Sequence, residues 1–168
     1  ETDLEGYLFA AAYHDVLPNR EINKIRLKSP EMKAYYNSGV LMMNLELQRK
    51  EISEQMVFDF VEKNRVKLIM PDQDIINALY ASKIKTLDEK RYNYDARYYY
   101  YYKIMTNGMC DMDYIIRNTV FLHFCGKKKP WNKNYGGKFH SLYKHYEKIA
   151  DCPAKYGTGP EKLWKQEK

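Results

Sequence analysis

An α/β fold is the expectation this chain raises, on three observations. Short apolar or β-branched runs alternate with stretches of helical periodicity, nearly half of the 168 residues are apolar, and no internal repeat or clear linker divides the chain. A chain of this length suits one domain with a real core, or one large piece of a bigger domain.

The elements follow in order. Tyr7 to Tyr13 is an apolar run that predicts a buried strand, and Val16 to Ser29, rich in charges and asparagine, reads as a loop holding a single helical turn. Tyr36 to Leu45 opens polar at Asn37-Ser38-Gly39 and turns apolar at VLMMNL, a strand in a covered sheet. An amphipathic helix comes next, with Ile52, Met56, Val57, Phe60 and Val61 on one face. Pro71-Asp72-Gln73-Asp74 leads into Ile75, Ile76, Ala78 and Leu79, a short helix whose acidic first turn suits the helix dipole. Ile84 to Leu87 predicts a short strand, and Arg91 to Asp113 is polar and aromatic without assignable structure. Thr119 to Phe124 is a β-branched and aromatic strand, and Phe139, Leu142, Tyr143, Tyr146 and Ile149 mark a last amphipathic helix. A basic tail, residues 151–168, follows.

Charge is unevenly placed. Residues 1–122 carry 17 basic and 18 acidic side chains, whereas residues 123–168 carry 11 lysines against 4 acids, so the whole excess of +6 arises after residue 122. Such a tail suits anionic lipid, nucleic acid or a phosphorylated ligand. No nucleic-acid motif or repeated basic-aromatic pattern accompanies it, and nucleic acid is not expected. No run approaches the roughly 20 apolar residues of a membrane span, and the start lacks a basic n-region. Cys110, Cys125 and Cys152 are odd in number and widely spaced, which favours a reducing, cytoplasmic setting over a disulfide framework or structural zinc. Tyrosine is over-represented, with 17 residues and an unbroken run from Tyr98 to Tyr102. Adjacent residues point all round a helix, so the run reads first as a helix partly covering a core.

The segment with most chemistry in it is His123-Phe124-Cys125-Gly126-Lys127-Lys128-Lys129-Pro130-Trp131. An imidazole can ligate a metal, a glycine lets phosphate oxygens approach the backbone, and a lysine neutralises them. A lone histidine ending a strand is more often a satisfied core residue, and three lysines are often a solvated turn. The glycine, the proline and the tryptophan weigh against both bland alternatives. Asp72-Gln73-Asp74 resembles a metal-binding D-x-D, but Asp72 after Pro71 is also a preferred helix cap. Asp111 and Asp113 read as solvated. Asn37-Ser38-Gly39 at a strand mouth could place an amide against a ligand hydroxyl, or simply turn the chain.

Taken together and in order, YYNSGVLMMNLELQRKE (35–51), PDQDIINALY (71–80), RYNY (91–94) and FLHFCGKKKPW (121–131) resemble glycosyltransferase family 8. That is the retaining group that includes bacterial lipopolysaccharide galactosyl- and glucosyltransferases and glycogenin. The resemblance covers residues 1–150, and the tail matches nothing.

What the resemblance implies is specific. The fold would be a GT-A type nucleotide-diphospho-sugar domain, a mixed sheet with flanking helices. The activity would be transfer of a hexose from a UDP-sugar to a saccharide or glycolipid acceptor, dependent on Mn²⁺ (or Mg²⁺), in lipopolysaccharide biosynthesis. His123 would ligate the metal, and Gly126 and Lys129 would contact the diphosphate. Asn37, Ser38, Gly39 and Asp74 would hold the donor, with Asp72 and Gln73 at the reacting carbon; which of the two attacks, if either, stays open. The acceptor is unread, and the tyrosine run is the candidate for its side. The family's metal-binding D-x-D precedes the Asn37 segment, and nothing before residue 35 supplies it. The expectation is therefore a C-terminal part of the domain, lacking its nucleoside-binding part and inactive alone. The competing expectation is a non-catalytic binding or assembly module whose basic tail meets anionic membrane or nucleic acid.

Overall fold

A computed structural model describes residues 2–14 and 19–151. The basic tail lies outside the described residues except for Asp151. In chain order the strands are β1 (Phe9–Tyr13), β2 (Tyr36–Met43), β3 (Ile84–Thr86), β4 (Tyr94–Asp95) and β5 (Leu122–His123). The helices are α1 (Asn19–Leu27), α2 (Leu45–Glu51), α3 (Glu54–Asn64), α4 (Pro71–Leu79), α5 (Glu89–Tyr92), α6 (Tyr99–Met105), α7 (Met112–Asn118) and α8 (His140–Asp151). They form two compact units, residues 1–95 with 111–123, and residues 96–110 with 124 onward.

The first unit is built on β1. Leu8 through Ala12 are buried without interruption, as a strand covered on both faces requires, and three successive alanines let its neighbours come close. β1 lies between β2, antiparallel to it, and β3, parallel to it, so the sheet is mixed. Leu8, Phe9, Ala11, Tyr36, Tyr80 and Ile84 make its principal core. A second pairing, β4 with β5, is parallel, with Tyr94 opposite Leu122 and Asp95 opposite His123.

The β1–β2 ladder is irregular where it matters. Between the pairs Ala11–Leu41 and Tyr13–Tyr36, β1 advances two residues while β2 advances five. Asn37-Ser38-Gly39-Val40 are thereby crowded opposite Ala12 alone, a bulge of the kind that re-aims side chains. Asn77 of α4 fastens the strand just before it. Its Oδ1 accepts from the Tyr36 amide at 2.7 Å, and its Nδ2 donates to the Tyr36 and Gln73 carbonyls at 2.8 Å each. The side-chain amide thus pairs with β2 as a neighbouring strand would.

α1 replaces the expected loop. Its i, i+4 pair Asn23 and Leu27 is buried, with Leu27 packed on Met32 and Ala81, and Arg26 reaches across to Asp74. Tertiary contacts, absent from local propensity, hold this charged helix. Lys28 ends it in the left-handed conformation (φ 54°), where Ser29 N–H reaches the Lys24 carbonyl at 3.1 Å, a position glycine usually fills. The helix expected over Ile52 to Val61 is α3, which starts at Glu54, and α2 before it is a further helix. Ile52 is extended, Asn44 caps α2 and Ser53 caps α3. The strand expected over Thr119 to Phe124 shrinks to Leu122–His123, because β4 offers only two residues to pair with. Asp111 is no bare solvated acid; it caps α7 by accepting from Tyr114 N–H at 2.9 Å.

The second unit is aromatic. On α6, Tyr99 and Tyr102 are buried while Tyr100 is exposed, the pattern of a helix covering a core with one face. Phe139 is fully buried and meets the Tyr99 ring edge-on at 5.7 Å; Phe124 meets Tyr143 of α8 the same way at 6.1 Å. Cys110 and Cys125 form no disulfide.

The strongest polar tie in the first unit is Asp74, which has no exposed side-chain surface. Arg26 binds its two oxygens at 2.6 and 2.9 Å, Tyr35 donates at 2.5 Å, and the Ile69 and Met70 amides donate at 2.8 and 3.1 Å. Burial by itself pushes this carboxyl up, but Arg26, Tyr35 and the two amides outweigh burial and hold it below the ordinary value of 3.8. Asp74→Asn leaves the half-buried Arg26 without its carboxylate and is expected to cost about 1.5–3 kcal/mol in urea unfolding. A depressed carboxyl contributes stability above its unfolded pKa of about 4 and loses it as pH falls through the folded value. The stability gap between wild type and Asp74→Asn should therefore be full at pH 6–7 and narrow as pH drops below about 4.

Candidate functional site

The bulge in β2 decides the polarity of everything near it. Two of its backbone amides, Ser38 N–H and Gly39 N–H, can only donate. Gly39 N–H points at Asn37 at 3.0 Å, so the Asn37 atom there is Oδ1 and its Nδ2 faces Gln73. Ser38 N–H points at Gln73 at 3.3 Å, so the Gln73 atom there is Oε1, which also accepts from Asn37 Nδ2 at 3.2 Å. In the other direction Asn37 Oδ1 accepts from Asn93 Nδ2 at 3.0 Å, which turns Asn93 Oδ1 toward His123. His123 Nδ1 lies 2.8 Å from that oxygen and must carry the proton. The lone pair of the neutral ring is then on Nε2.

Steric fit agrees with the hydrogen bonding. A Cβ on Gly39 would overlap Cε1 of His123 and stand 3.0 Å from its Nε2. The third residue of Asn37-Ser38-Gly39 is glycine because the imidazole occupies the space a side chain would need.

α4 presents the other wall. Asp72 is exposed and accepts from Ser38 Oγ through Oδ2 at 2.7 Å. Gln73 is buried; its Oε1 serves two donors, while its Nε2 makes no hydrogen bond to the described residues. The expected helix cap at Asp72 is not found, for Met70 holds the cap position and Pro71 opens the first turn. Asp74, expected to touch a ligand, faces inward to Arg26 and Tyr35, and its carboxylate is already engaged by five hydrogen bonds.

In the second unit, Gly126 adopts the left-handed conformation (φ 76°), and Arg97 Nη1 would stand 3.4 Å from a Cβ there. Lys129 donates to the Phe124 carbonyl at 2.6 Å and lies 5.7 Å from the centre of the Trp131 ring. Both residues sit on one loop, with Pro130 buried beneath it.

Asn37, Ser38, Gly39, Asp72, Gln73 and His123 thus share one network in the first unit. Gly126 and Lys129 share a loop in the second, and Asp74 underlies the first group. Asn93, fully buried between Asn37 and His123, was not among the residues singled out from sequence, although it lies in the quoted RYNY segment. Asn77 was passed over as well. The available signal was polarity: two asparagines amid apolar and tyrosine-rich neighbours. A further polar cluster joins His14 to Glu89 at 3.3 Å and, at 3.9 Å, to the fully buried Asp95, and no spacing rule announced it.

Residues 1–135 match the model of the family described as Glycosyl transferase family 8. The chain belongs to glycosyltransferase family 8. Curated relatives include the general stress protein A of Bacillus subtilis (strain 168), 29% identical over 67% of this chain and 40% of that protein. A lipopolysaccharide 1,2-glucosyltransferase of Escherichia coli is 33% identical over 66% of this chain and 34% of that protein. The chain therefore spans well under half the length of these family 8 relatives. Among solved structures, an active-site glutamine-to-glutamate mutant of LgtC superposes with a TM-score of 0.66 at 24% identity, covering 86% of this chain and 53% of that one. The glycosyltransferase GlyE of Streptococcus pneumoniae TIGR4 gives 0.61 at 24% identity, over 87% and 33%. These likenesses establish the fold, a GT-A type mixed α/β sheet with flanking helices. No described helix is long and apolar enough to cross a membrane.

Gly39 makes a direct test of this geometry. Gly39→Ala is expected to cost about 1–3 kcal/mol by overpacking. His123→Ala in the same chain should return most of that loss, because it vacates the contested space. A double-mutant cycle by chemical denaturation measures the coupling, and additive effects would separate the two residues.

Proposed function

We propose that this chain serves a retaining hexosyltransferase that moves a hexose from a UDP-sugar to a saccharide or glycolipid acceptor, with Mn²⁺ (or Mg²⁺) on the donor diphosphate. The observation that carries the proposal is the directed chain from the Gly39 amide through Asn37 and Asn93 to His123, which leaves the imidazole protonated on Nδ1 with its lone pair on Nε2. A metal-ligating histidine is commonly held in this way, its other nitrogen donating to a fixed oxygen. The curated relatives named as lipopolysaccharide glucosyltransferases support the substrate class and suggest a lipid-linked core saccharide as acceptor. That work would place the protein in the cytoplasm, at the inner membrane face where the tail's lysines meet anionic lipid.

Within this proposal the residues divide the work. His123 would hold the metal, whose chemistry is to neutralise charge that develops on the leaving diphosphate. Gly126 gives phosphate oxygens an unobstructed backbone, and Lys129 retains two ammonium protons beyond the one it gives to Phe124. Gln73 Nε2 offers two N–H donors to sugar oxygens. Its Oε1 is committed twice over, so it is a poor nucleophile. Asp72 keeps Oδ1 clear and is the carboxylate that would face positive charge growing at the anomeric carbon. Asn37, Ser38 and Gly39 position this wall, and Asp74 holds α4 in place behind it.

Residues 1–35 contain no D-x-D. We accordingly assign turnover to a form with further metal ligands, and ligand contacts alone to these 168 residues.

In such a form, His123→Ala should abolish Mn²⁺-dependent UDP-hexose binding, and Asn93→Ala should weaken it about 10–100-fold. On the chain itself, Mn²⁺ should broaden NMR signals around His123 in wild type and not in His123→Ala. Unchanged broadening in that variant would reject the assignment.

A further inference from the structure

We propose that the second unit carries a binding site for an anionic saccharide, a sugar bearing a phosphate or comparable group, separate in its chemistry from the donor diphosphate. This rests on the transferase proposal and names the class of acceptor that its basic loop would take.

The site is a cavity of 820 Å³. Five of its lining residues are cations, Arg97, Lys127, Lys128, Lys129 and Lys138, and no acidic residue lines it. Arg97, Lys127, Lys128 and Lys138 are exposed, and none of the four lysines has a carboxylate partner among the described residues. The four lysines, left together without a carboxylate, repel one another, and an anion relieves that repulsion.

A donor diphosphate does not account for all five. Bridged by a divalent ion, it is nearly neutral, and in the proposed function it calls on Lys129 and the Gly126 backbone alone. Arg97, Lys127, Lys128 and Lys138 remain, and the three ammonium groups among them suit a phosphate monoester.

The remaining lining argues for a sugar rather than a bare ion. Tyr100, which is exposed, and the half-buried Tyr135 supply ring faces that stack on the apolar side of a pyranose, and the Asn132 and Asn134 amides can meet hydroxyls. Lys138 lies 5.7 Å from the centre of the Tyr99 ring, which puts a cation beside the aromatic lining. Tyr135 folds onto Gly137, where a Cβ would overlap its phenol, so a glycine there is needed to keep the ring in the cavity wall.

The test is a titration of the 168-residue chain by NMR or calorimetry, without Mn²⁺ or nucleotide. The probes are glucose 6-phosphate, glucose, inorganic phosphate and a short single-stranded oligodeoxynucleotide. Glucose 6-phosphate is expected to bind more tightly than inorganic phosphate, and glucose not measurably. Lys127→Gln with Lys138→Gln should weaken glucose 6-phosphate about tenfold; both positions are exposed, and circular dichroism checks the fold. Equal binding of glucose and glucose 6-phosphate would remove the anion requirement. Equal binding of inorganic phosphate would remove the sugar. Tighter binding of the oligonucleotide would reassign the cavity to nucleic acid, and an unaffected double variant would move the site elsewhere. Failure of the donor reading appears separately, as Mn²⁺-dependent effects that ignore His123→Ala.

Discussion

Two backbone amides that can only donate, Ser38 N–H and Gly39 N–H, set the orientation of every amide side chain in the candidate site. A side-chain amide can be turned over at little cost in shape, but a backbone N–H cannot become an acceptor. With Gly39 N–H on Asn37 and Ser38 N–H on Gln73, the Asn37–Gln73 and Asn37–Asn93 bonds each have one allowed direction. The imidazole at the end of the chain inherits its tautomer from them. The bulge frees both amides for side chains; in a regular ladder of this edge strand one of the two successive amides would pair with β1.

The bulge in turn needs support, and α4 gives it from one turn and a half of helix. Gln73, Asp74 and Asn77 are buried while Asp72 is exposed. Asn77 holds β2 at Tyr36, Gln73 receives Ser38, and Asp74 ties the helix start to Arg26 and Tyr35. A buried pair such as Asp74–Arg26 is weak evidence of net stabilisation, because desolvation offsets much of its attraction. Its consequence here is geometric: five hydrogen bonds on one carboxylate leave α4 little freedom to rotate, and rotation would carry Asp72 and Gln73 away from the bulge. Structure and site thus share the same short motif, which is why DQD reads both as a helix start and as a functional element.

What was legible in the sequence follows from how local each cause is. β1 was readable because a strand covered on both faces is an apolar run, and α4 and α8 because their periodicity survives inspection. α1 was not, since Arg26 and Leu27 owe much of their helix to Asp74 and Ala81, far along the chain. α2 was not read as a helix, since Leu45–Glu51 is mostly polar and buries no residue to mark a face. His123, Asn37 and Gln73 stood out because their residue types carry chemistry in a specific spacing. Asn93 did not: a buried asparagine between two functional residues has no spacing signature, and its role is visible only when both neighbours are placed. Asp74 was the converse case, chemically suggestive in a D-x-D but turned inward, because a carboxylate on that face of α4 meets Arg26.

The charge distribution is the property on which composition and structure speak most directly to each other. The excess of lysine after residue 122 looked at first like a property of the tail. Among the described residues, part of it is concentrated instead on the cavity of the second unit, in lysines without acidic partners. Ammonium groups gathered around one cavity raise the free energy of the folded state that gathers them. Any anion that binds there stabilises that state by linkage, in proportion to how strongly it relieves the repulsion. The aromatic packing around Tyr99, Phe124, Phe139 and Tyr143 therefore carries a burden that the first unit, with its nearly balanced charge, does not. A fold that keeps such a cluster has its electrostatic optimum in the ligated state, and the cavity is where that ligand must be sought.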